Sequence, residues 1–142
     1  MRLEDIVEAP FVPFSDILRA HGARRGDAIA LADETSRVSW RELDGLIDRV
    51  AAALQRDGVR PGEPVAIVGA NSVEYALAFL GAVRAGGIAT PLTSSATSAA
   101  IAAMLADCGS RVLLADAPMS AQLAGEALPP GLIRVEIGRA HV

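Results

Sequence analysis

The sequence contains no lysine, because all 13 of its Lys and Arg residues are arginines. Any mechanism that needs a lysine amine is therefore excluded within these 142 residues. The chain also has a single cysteine, Cys108, and two histidines, so it can form no internal disulfide and offers no Cys/His cluster for a structural zinc ion. We expect neither a disulfide nor zinc to hold the fold together.

Positive charge and long apolar runs are scarce as well. The formal net charge is −4, and such a chain lacks the basic surface that neutralises a phosphate backbone, so we expect no nucleic-acid partner. The N-terminal stretch carries acids where a signal peptide would be basic, and the apolar run at 75–83 ends at Arg84. We therefore expect no transmembrane segment and a cytoplasmic protein.

What the chain has in quantity is small aliphatic side chains. Hydrophobic residues make up 51% of it and aromatic residues only 4%, and most of the apolar residues are Ala, Val and Leu. This composition suits helices packed on a buried sheet within a single globular domain.

The clearest local signal is a helix start at Ser39. The segment Ser-Trp-Arg-Glu is a capping box, in which the Ser39 hydroxyl and the Glu42 carboxylate each accept from the other residue's backbone N–H. Apolar residues then recur at helical spacing as far as Leu54, and Gly58 ends the helix. The same spacing leaves five charged residues largely in solvent: Arg41, Asp44, Asp48, Arg49 and Arg56.

Downstream of this helix, strands alternate with helices. Residues 64–69 are apolar without alternation, which is typical of a strand covered on both faces in a parallel sheet. Later strands are predicted at 88–92, 111–115 and 132–136. The intervening helices are predicted to begin at Asn71 or Ser72, carrying apolar residues at 75, 79, 80 and 83, to begin at Thr97 or Ser98, and to span 120–127. The expected fold class is α/β, with three layers and a mostly parallel sheet flanked by helices.

The residues before Ser39 predict smaller elements. Residues 14–22 are expected to form a short helix with Ser15 as its N-cap and Gly22 as its left-handed stop. Residues 28–32 and 37–39 predict the two strands of a small hairpin.

Several features could carry a site, and for each we favour a structural role. The turn at 69–72 (Gly-Ala-Asn-Ser) joins a strand to a helix, where α/β proteins bind anions. It has only the first glycine of the dinucleotide fingerprint, so capping without a ligand is preferred. The hydroxyl-rich segment 93–97 has no glycine or basic residue for a phosphate and is interpreted as a turn before an N-cap. Cys108 is expected in the core, His21 as a favourable charge at a helix end, and Trp40 as a helix anchor.

Linked motifs resemble the N-terminal opening of the adenylate-forming enzymes, the family of acyl- and aryl-CoA synthetases, peptide-synthetase adenylation domains and luciferase-like ligases. Val-Ser-Trp-Arg-Glu-Leu at 38–43 is similar to the family's first core motif. Gly-Val-Arg-Pro-Gly-Glu-Pro-Val-Ala at 58–66 is similar to its glycine turn and the strand that follows, and 83–92 is similar to its second core motif. The resemblance covers residues 29–116, so the chain is expected to be a partial N-terminal subdomain of such an enzyme.

The resemblance implies the chemistry of a longer parent protein. In this family a carboxylic acid reacts with ATP to give an acyl-adenylate and pyrophosphate, and a thiol such as that of CoA then takes the acyl group. The family's phosphate loop with its lysine, its adenine-binding aromatic motif, its ribose-binding aspartate and its C-terminal catalytic lysine all lie outside the matched residues. We therefore assign no catalytic, cofactor-binding or metal-binding residue, and we expect this piece alone to be inactive. ATP, Mg²⁺, CoA and the carboxylic acid substrate are implied for the parent only.

The subfamily and the extent of the protein leave alternatives. Peptide synthetases usually follow the second motif with Asp-Pro, whereas residues 92–95 are Leu-Thr-Ser-Ser, so a carboxylic acid–CoA ligase is preferred to a peptide-synthetase adenylation domain. A further alternative is a complete small α/β binding or regulatory module whose ligand sits at residues 69–72.

The residues at 137–142 have the sequence Ile-Gly-Arg-Ala-His-Val. One reading frame of a common sequencing adapter (ATCGGAAGAGCACACGTC) encodes this hexapeptide. We therefore expect a partial N-terminal domain at 1–136 followed by a non-native tail at 137–142, a hypothesis that the nucleotide sequence decides.

Overall fold

The computed structural model describes residues 2–138, which contain six helices and six strands. The helices are α1 (Leu3–Glu8), α2 (Phe14–Arg24), α3 (Trp40–Arg56), α4 (Val73–Arg84), α5 (Ser98–Cys108) and α6 (Ala117–Leu123). The strands are β1 (Ile29–Ala32), β2 (Arg37–Ser39), β3 (Pro64–Val68), β4 (Ile88–Pro91), β5 (Val112–Asp116) and β6 (Ile133–Ile137). Only α1 has no counterpart among the predicted elements. None of the described helices has both the length and the hydropathy needed to cross a membrane.

The main sheet has the order β4-β3-β5-β6, and all of its neighbouring strands are parallel. β3 lies inside the sheet, and its residues 65–68 are fully buried, as their uninterrupted apolar sequence predicted. β1 and β2 form a separate antiparallel pair, which confirms the predicted hairpin. The α/β class with a parallel sheet is therefore confirmed.

Helices cover both faces of this sheet, which gives the three predicted layers. Successive side chains of a strand point to opposite faces, so each strand contributes to two cores. On one face α3 and α4 pack on the strands, and this core includes Leu54, Val65, Ile67, Ala78 and Leu114. On the other face α5 and α6 pack on the alternate residues of the same strands. This core includes Ala66, Val68, Ile101, Leu105 and Leu113.

The capping box at the start of α3 forms as predicted. Ser39 Oγ accepts from the Glu42 N–H at 3.2 Å, and Glu42 Oε2 accepts from the Ser39 N–H at 2.8 Å. These hydrogen bonds favour the charged carboxylate and lower the pKa of Glu42 below its ordinary value. The helix ends at Arg56, and Gly58 follows with a φ of +92°.

The predicted helix after β3 forms as α4, and it is packed on most of its sides. The residues at 75, 79, 80 and 83 are only partly buried, whereas Leu77, Ala78, Gly81 and Ala82 are buried. Because α4 is apolar on most sides, its sequence pattern could not single out one face. Gly81 lies where α3 crosses α4, and a Cβ added there would stand 2.6 Å from the Cβ of Val50. The missing side chain is what allows these two helices to approach so closely.

α2 corrects two predictions. Pro13 rather than Ser15 occupies the N-cap position, and Ser15 Oγ instead accepts a hydrogen bond from Arg84 Nε at 2.6 Å. Gly22 lies inside α2 rather than at its end. A Cβ on Gly22 would stand 3.2 Å from the Cβ of Asp44, so the glycine serves the packing of α2 on α3.

α6 begins earlier than the predicted span of 120–127. Asp116 acts as its N-cap, because Asp116 Oδ1 accepts from the Met119 N–H at 3.0 Å. Proline is tolerated in the first turn of α6, where a backbone N–H would have no helical partner. β6 extends to Ile137, which the adapter hypothesis placed in the tail; residues 139–142 of that tail lie outside the described residues.

Candidate functional site

The carboxyl ends of β3 and β5 form the switch point of the sheet. The chain passes from β3 outward to β4 and then returns to β5 on the opposite side of β3, so the connections diverge between β3 and β5. α/β proteins bind ligands in the crevice at such a point. Here the crevice is bordered by the turn at 69–72 and by Asp116 at the end of β5.

Asp116 occupies this crevice with its own carboxylate. Its Oδ2 accepts from the Ala70 N–H at 2.8 Å, while its Oδ1 caps α6. Gly69 makes the approach possible, because a Cβ on Gly69 would stand 2.9 Å from Asp116 Oδ2. The side chain therefore stands where an anionic ligand would bind and satisfies a backbone donor of the turn.

A second carboxylate, that of Asp33, caps α4 from the β1–β2 hairpin. Asp33 Oδ2 accepts from the Val73 N–H at 2.9 Å, and Asp33 Oδ1 accepts from the N–H groups of Thr35 and Ser36 at 2.8 and 2.7 Å. These hydrogen bonds lower the pKa of Asp33 to about 2, and the bond from the Val73 N–H has the largest effect. The sequence predicts Asn71 or Ser72 as the N-cap of α4. Ser72 holds that position, and its Oγ accepts from the Tyr75 N–H at 3.0 Å.

The open groove over this turn is acidic. It has a volume of about 260 Å³, and its lining includes Asp33, Glu74 and Asp116 but no basic residue. A triphosphate would therefore meet like charge here and would have to displace two carboxylates from backbone donors. Within residues 2–138, no three His, Cys, Asp or Glu side chains are grouped so that they could hold a metal ion. These residues therefore do not fit ATP with Mg²⁺.

The hydroxyl-rich segment 93–97 connects β4 to α5. Thr97 caps α5 by accepting from the Ala100 N–H at 3.2 Å, and the hydroxyls of Thr93 and Ser95 lie 3.0 Å apart, within hydrogen-bond distance of each other. This confirms the predicted turn and the cap at Thr97. The segment follows β4, whereas the acidic groove lies over the turn after β3, and none of its residues lines that groove.

The remaining single residues have structural surroundings. Cys108 is partly buried, its Sγ donates to Leu105 O at 3.3 Å, and it packs against the core under α5. His21 lies in the last turn of α2, and its ring centroid is 4.7 Å from that of Trp40. Trp40 opens α3 and packs against the core shared by α2, α3 and α4.

An ion-pair network that no sequence pattern predicted joins α2, α3 and α4. Its centre is Arg84, whose side chain is only 7% exposed. The guanidinium donates to Ser15 O at 3.1 Å, to Asp44 O at 2.9 Å and to Asp48 Oδ1 at 3.1 Å. Arg19 on α2 adds a second ion pair with Asp48 at 3.2 Å. Its hydrogen bond is the main reason why the pKa of Asp48 lies below its ordinary value.

The network also corrects the prediction that Asp44 faces solvent. The Asp44 side chain is 22% exposed, and its Oδ1 lies 2.8 Å from Arg84 Nη1. The two protons of that nitrogen are already directed to Asp44 O and Asp48 Oδ1, so Asp44 Oδ1 has the charge contact without a hydrogen bond. An arginine near the end of the mostly apolar α4 was the one signal of this network in the sequence.

Together these observations define a three-layer α/β domain whose switch point is filled by its own carboxylates. A sequence model described as "AMP-binding enzyme" matches residues 18–137. The chain belongs to this family of adenylate-forming enzymes, and the resemblance drawn from its motifs is confirmed.

Two curated relatives are similar over most of the chain. One is the long-chain-fatty-acid–CoA ligase FadD13 of Mycobacterium tuberculosis, with 30% identity over 72% of this chain and 21% of that protein. The other is 4-coumarate–CoA ligase 5 of Oryza sativa subsp. japonica, with 34% identity over 89% of this chain and 24% of that protein. The chain thus spans about a fifth to a quarter of the length of these relatives.

Two solved structures share the fold. A nonribosomal peptide synthetase, FmoA3, superposes with a TM-score of 0.82 at 26% identity, over 90% of this chain and 14% of that one. The N-terminal domain of FACL13 from Mycobacterium tuberculosis superposes with a TM-score of 0.78 at 25% identity, over 89% of this chain and 33% of that one. The fold is therefore that of the N-terminal subdomain of adenylate-forming enzymes.

Proposed function

We propose that this chain is the N-terminal part of an ATP-dependent carboxylic acid–CoA ligase of the cytoplasm. Such an enzyme joins the acid to AMP, releases pyrophosphate, and then transfers the acyl group to the CoA thiol with release of AMP. The observation that carries the proposal is the 34% identity to a 4-coumarate–CoA ligase over 89% of the chain. The similarity to a fatty-acid–CoA ligase over 72% of the chain supports the same class of reaction.

The second candidate is the adenylation domain of a peptide synthetase. It is favoured by the TM-score of 0.82 with FmoA3, a value above the 0.78 of the FACL13 domain. Against it stands the sequence Leu-Thr-Ser-Ser at 92–95, where peptide synthetases usually have Asp-Pro. We prefer the CoA ligase because the sequence difference directly follows the second core motif that relates the chain to the family.

In this proposal the chain supplies scaffold and no chemical group. The donors at the β3–α4 turn are committed to Asp33, Ser72 and Asp116. ATP, Mg²⁺ and CoA would accordingly be held by residues of the parent that have no counterpart among these 142. The same occupied donors disfavour a complete small module with a ligand at residues 69–72.

The proposal is tested on the product of the longer reading frame at an intact copy of the gene. We expect that frame to continue for several hundred residues, about the size of the relatives. Its purified product should catalyse acid-dependent exchange of pyrophosphate into ATP, and CoA should discharge the adenylate. Codons 137–142 at that locus also test the proposed adapter origin of the tail.

Two other results would contradict the proposed CoA ligase. Discharge by a carrier-bound phosphopantetheine thiol and not by CoA would indicate the peptide synthetase instead. An intact locus whose frame stops close to codon 142 would contradict both candidates.

A further inference from the structure

The N-terminal residues form an arm that the rest of the described structure leaves uncovered. The arm is defined as residues 2–13, which comprise α1 and the segment that joins α1 to α2. Among its described side chains, Val7 is 74% exposed, Phe11 is 89% exposed and Val12 is 52% exposed. Several exposed apolar side chains in one short segment are typical of a surface that binds a partner.

The arm is also acidic and extended. The charge of its side chains is −2, from one basic and three acidic residues: Arg2, Glu4, Asp5 and Glu8. The segment after α1 contains Pro10 and Pro13, and Pro13 has the extended conformation, with a φ of −56° and a ψ of 139°. Proline fixes φ and stiffens a linker, so the arm is held in a conformation that projects from α2.

A shallow groove of the opposite charge lies beside the first half of α3. It has a volume of about 390 Å³, and its apolar lining includes Val38 and Leu46. Its charged lining has three basic residues and one acidic residue, a charge of +2: Arg37, Arg41, Arg49 and Glu42. Arg41 pairs with Asp27, whereas no ion pair among residues 2–138 involves Arg37 or Arg49.

The arm and the groove are complementary in charge, −2 against +2, and each combines charged with apolar side chains. An amphipathic segment in a groove of opposite charge is a common mode of recognition between proteins. We propose that this groove is the docking surface for the arm of a second copy of this chain. Each copy has one arm and one groove, so reciprocal exchange closes into a two-fold dimer. The proposal concerns assembly and does not depend on the proposed function.

Other occupants fit the two surfaces less well. An anionic membrane or a nucleic acid would meet the basic groove but would repel the acidic arm beside it. The arm of the same chain would have to fold back against its stiff proline linker, and no described residue of the arm lines the groove in the structure. A second copy is the occupant that uses both the arm and the groove.

The test is sedimentation of two charge-reversed variants, alone and mixed. Glu4→Arg with Glu8→Arg changes the charge of the arm from −2 to +2. Arg37→Glu with Arg49→Glu changes the charge of the groove from +2 to −2. Like charges then oppose each other in either variant alone, and we expect the Kd of each homodimer to be at least about 100-fold above that of the native chain. A 1:1 mixture restores both contacts and should form a heterodimer of near-native affinity.

The matched control is Arg24→Glu with Arg56→Glu, because both arginines are exposed and lie outside the groove. It changes the net charge of the chain as much as the groove variant does and should leave the native dimer unchanged. Deletion of residues 1–12 removes the arm up to Pro13 and should give a monomer, which keeps the test decisive if a charge reversal impairs folding. A monomeric native chain, a dimer that survives the deletion, or folded variants that do not associate when mixed would overturn the proposal.

Discussion

At the scale of single residues, two aspartates determine what the switch point can do. Both accept hydrogen bonds from backbone N–H groups at the β3–α4 turn. Asp33 is 40 residues from its donor in the sequence, and Asp116 is 46 residues from its donor. Each satisfies a donor that would otherwise be free to bind an anion. The turn is thereby fixed to the hairpin on one side and to α6 on the other.

Asp33 should make the stability of the domain depend on pH. Its ordinary pKa of 3.8 falls to about 2 in the folded protein, so the folded state binds the proton more weakly than the unfolded state. The stabilisation is therefore complete above pH 3.8 and is lost as the pH falls through about 2. Urea unfolding of the native chain between pH 5 and 2 should show a decreasing free energy, with a smaller slope for Asp33→Asn.

Glu34→Gln, a neighbouring substitution, is the control for this experiment and should leave the slope as it is in the native chain. An unchanged slope in Asp33→Asn would show that the hydrogen bonds to Asp33 do not persist in solution.

The sequence could predict short-range contacts at this scale and not long-range ones. Ser39 and Glu42 are three residues apart, so their reciprocal hydrogen bonds follow from local spacing. The partners of Asp33 and Asp116 depend on how separate elements come together, and no local spacing contains that information. Arg84 was missed for the same reason, because its acceptors lie on α2 and α3.

At the scale of elements, the motifs that identify the family are devices that build the fold. Glu42 in the first motif caps α3. In the glycine turn, Gly62 has a φ of +80° and donates to Gly86 O at 2.8 Å, and Gly86 itself has a φ of +88°. This contact joins the start of β3 to the start of β4, which only residues free to adopt left-handed conformations can do at no steric cost.

Gly81 should be the most size-sensitive position of the α3–α4 crossing. Gly81→Ala introduces a Cβ that would overlap Val50, and we expect it to lower the free energy of unfolding by about 1–3 kcal/mol. Combining it with Val50→Ala should restore part of that loss, because the smaller side chain makes room. Urea unfolding of the two single variants and the double variant measures this coupling.

Gly45→Ala is the matched control, because Gly45 lies in α3 with nothing within 4 Å of an added Cβ. It should raise the free energy of unfolding, by up to about 1 kcal/mol. Additive effects of Gly81→Ala and Val50→Ala would contradict the proposed close crossing of these helices.

Helix boundaries could be predicted where a side chain caps the helix. They could not be predicted where a residue is needed for packing. The caps of α3, α4 and α5 were found because Ser39, Ser72 and Thr97 accept from backbone donors three residues ahead. The sequence predicts a helix stop at Gly22, because glycine in a sequence does not reveal whether its conformation or its small size is needed. The predicted start of α6 at residue 120 is too late, because Asp116 followed by a nearby proline already marks the start of the helix.

At the scale of the whole molecule, the domain has the architecture of its family, and we propose that it serves as scaffold for chemistry performed elsewhere. Its sheet, layers and family motifs are those of adenylate-forming enzymes. Within residues 2–138, the crevice at the switch point holds the carboxylate of Asp116 and is lined with acidic residues.

The most direct test of this account is isothermal titration of the 142-residue chain with ATP and Mg²⁺. With the turn donors committed and no lysine present, we predict no heat of binding above that of dilution. The product of the longer reading frame, titrated under the same conditions, is the positive control and should bind. Saturable binding of ATP to the 142-residue chain with micromolar affinity would contradict the claim that this domain is scaffold alone.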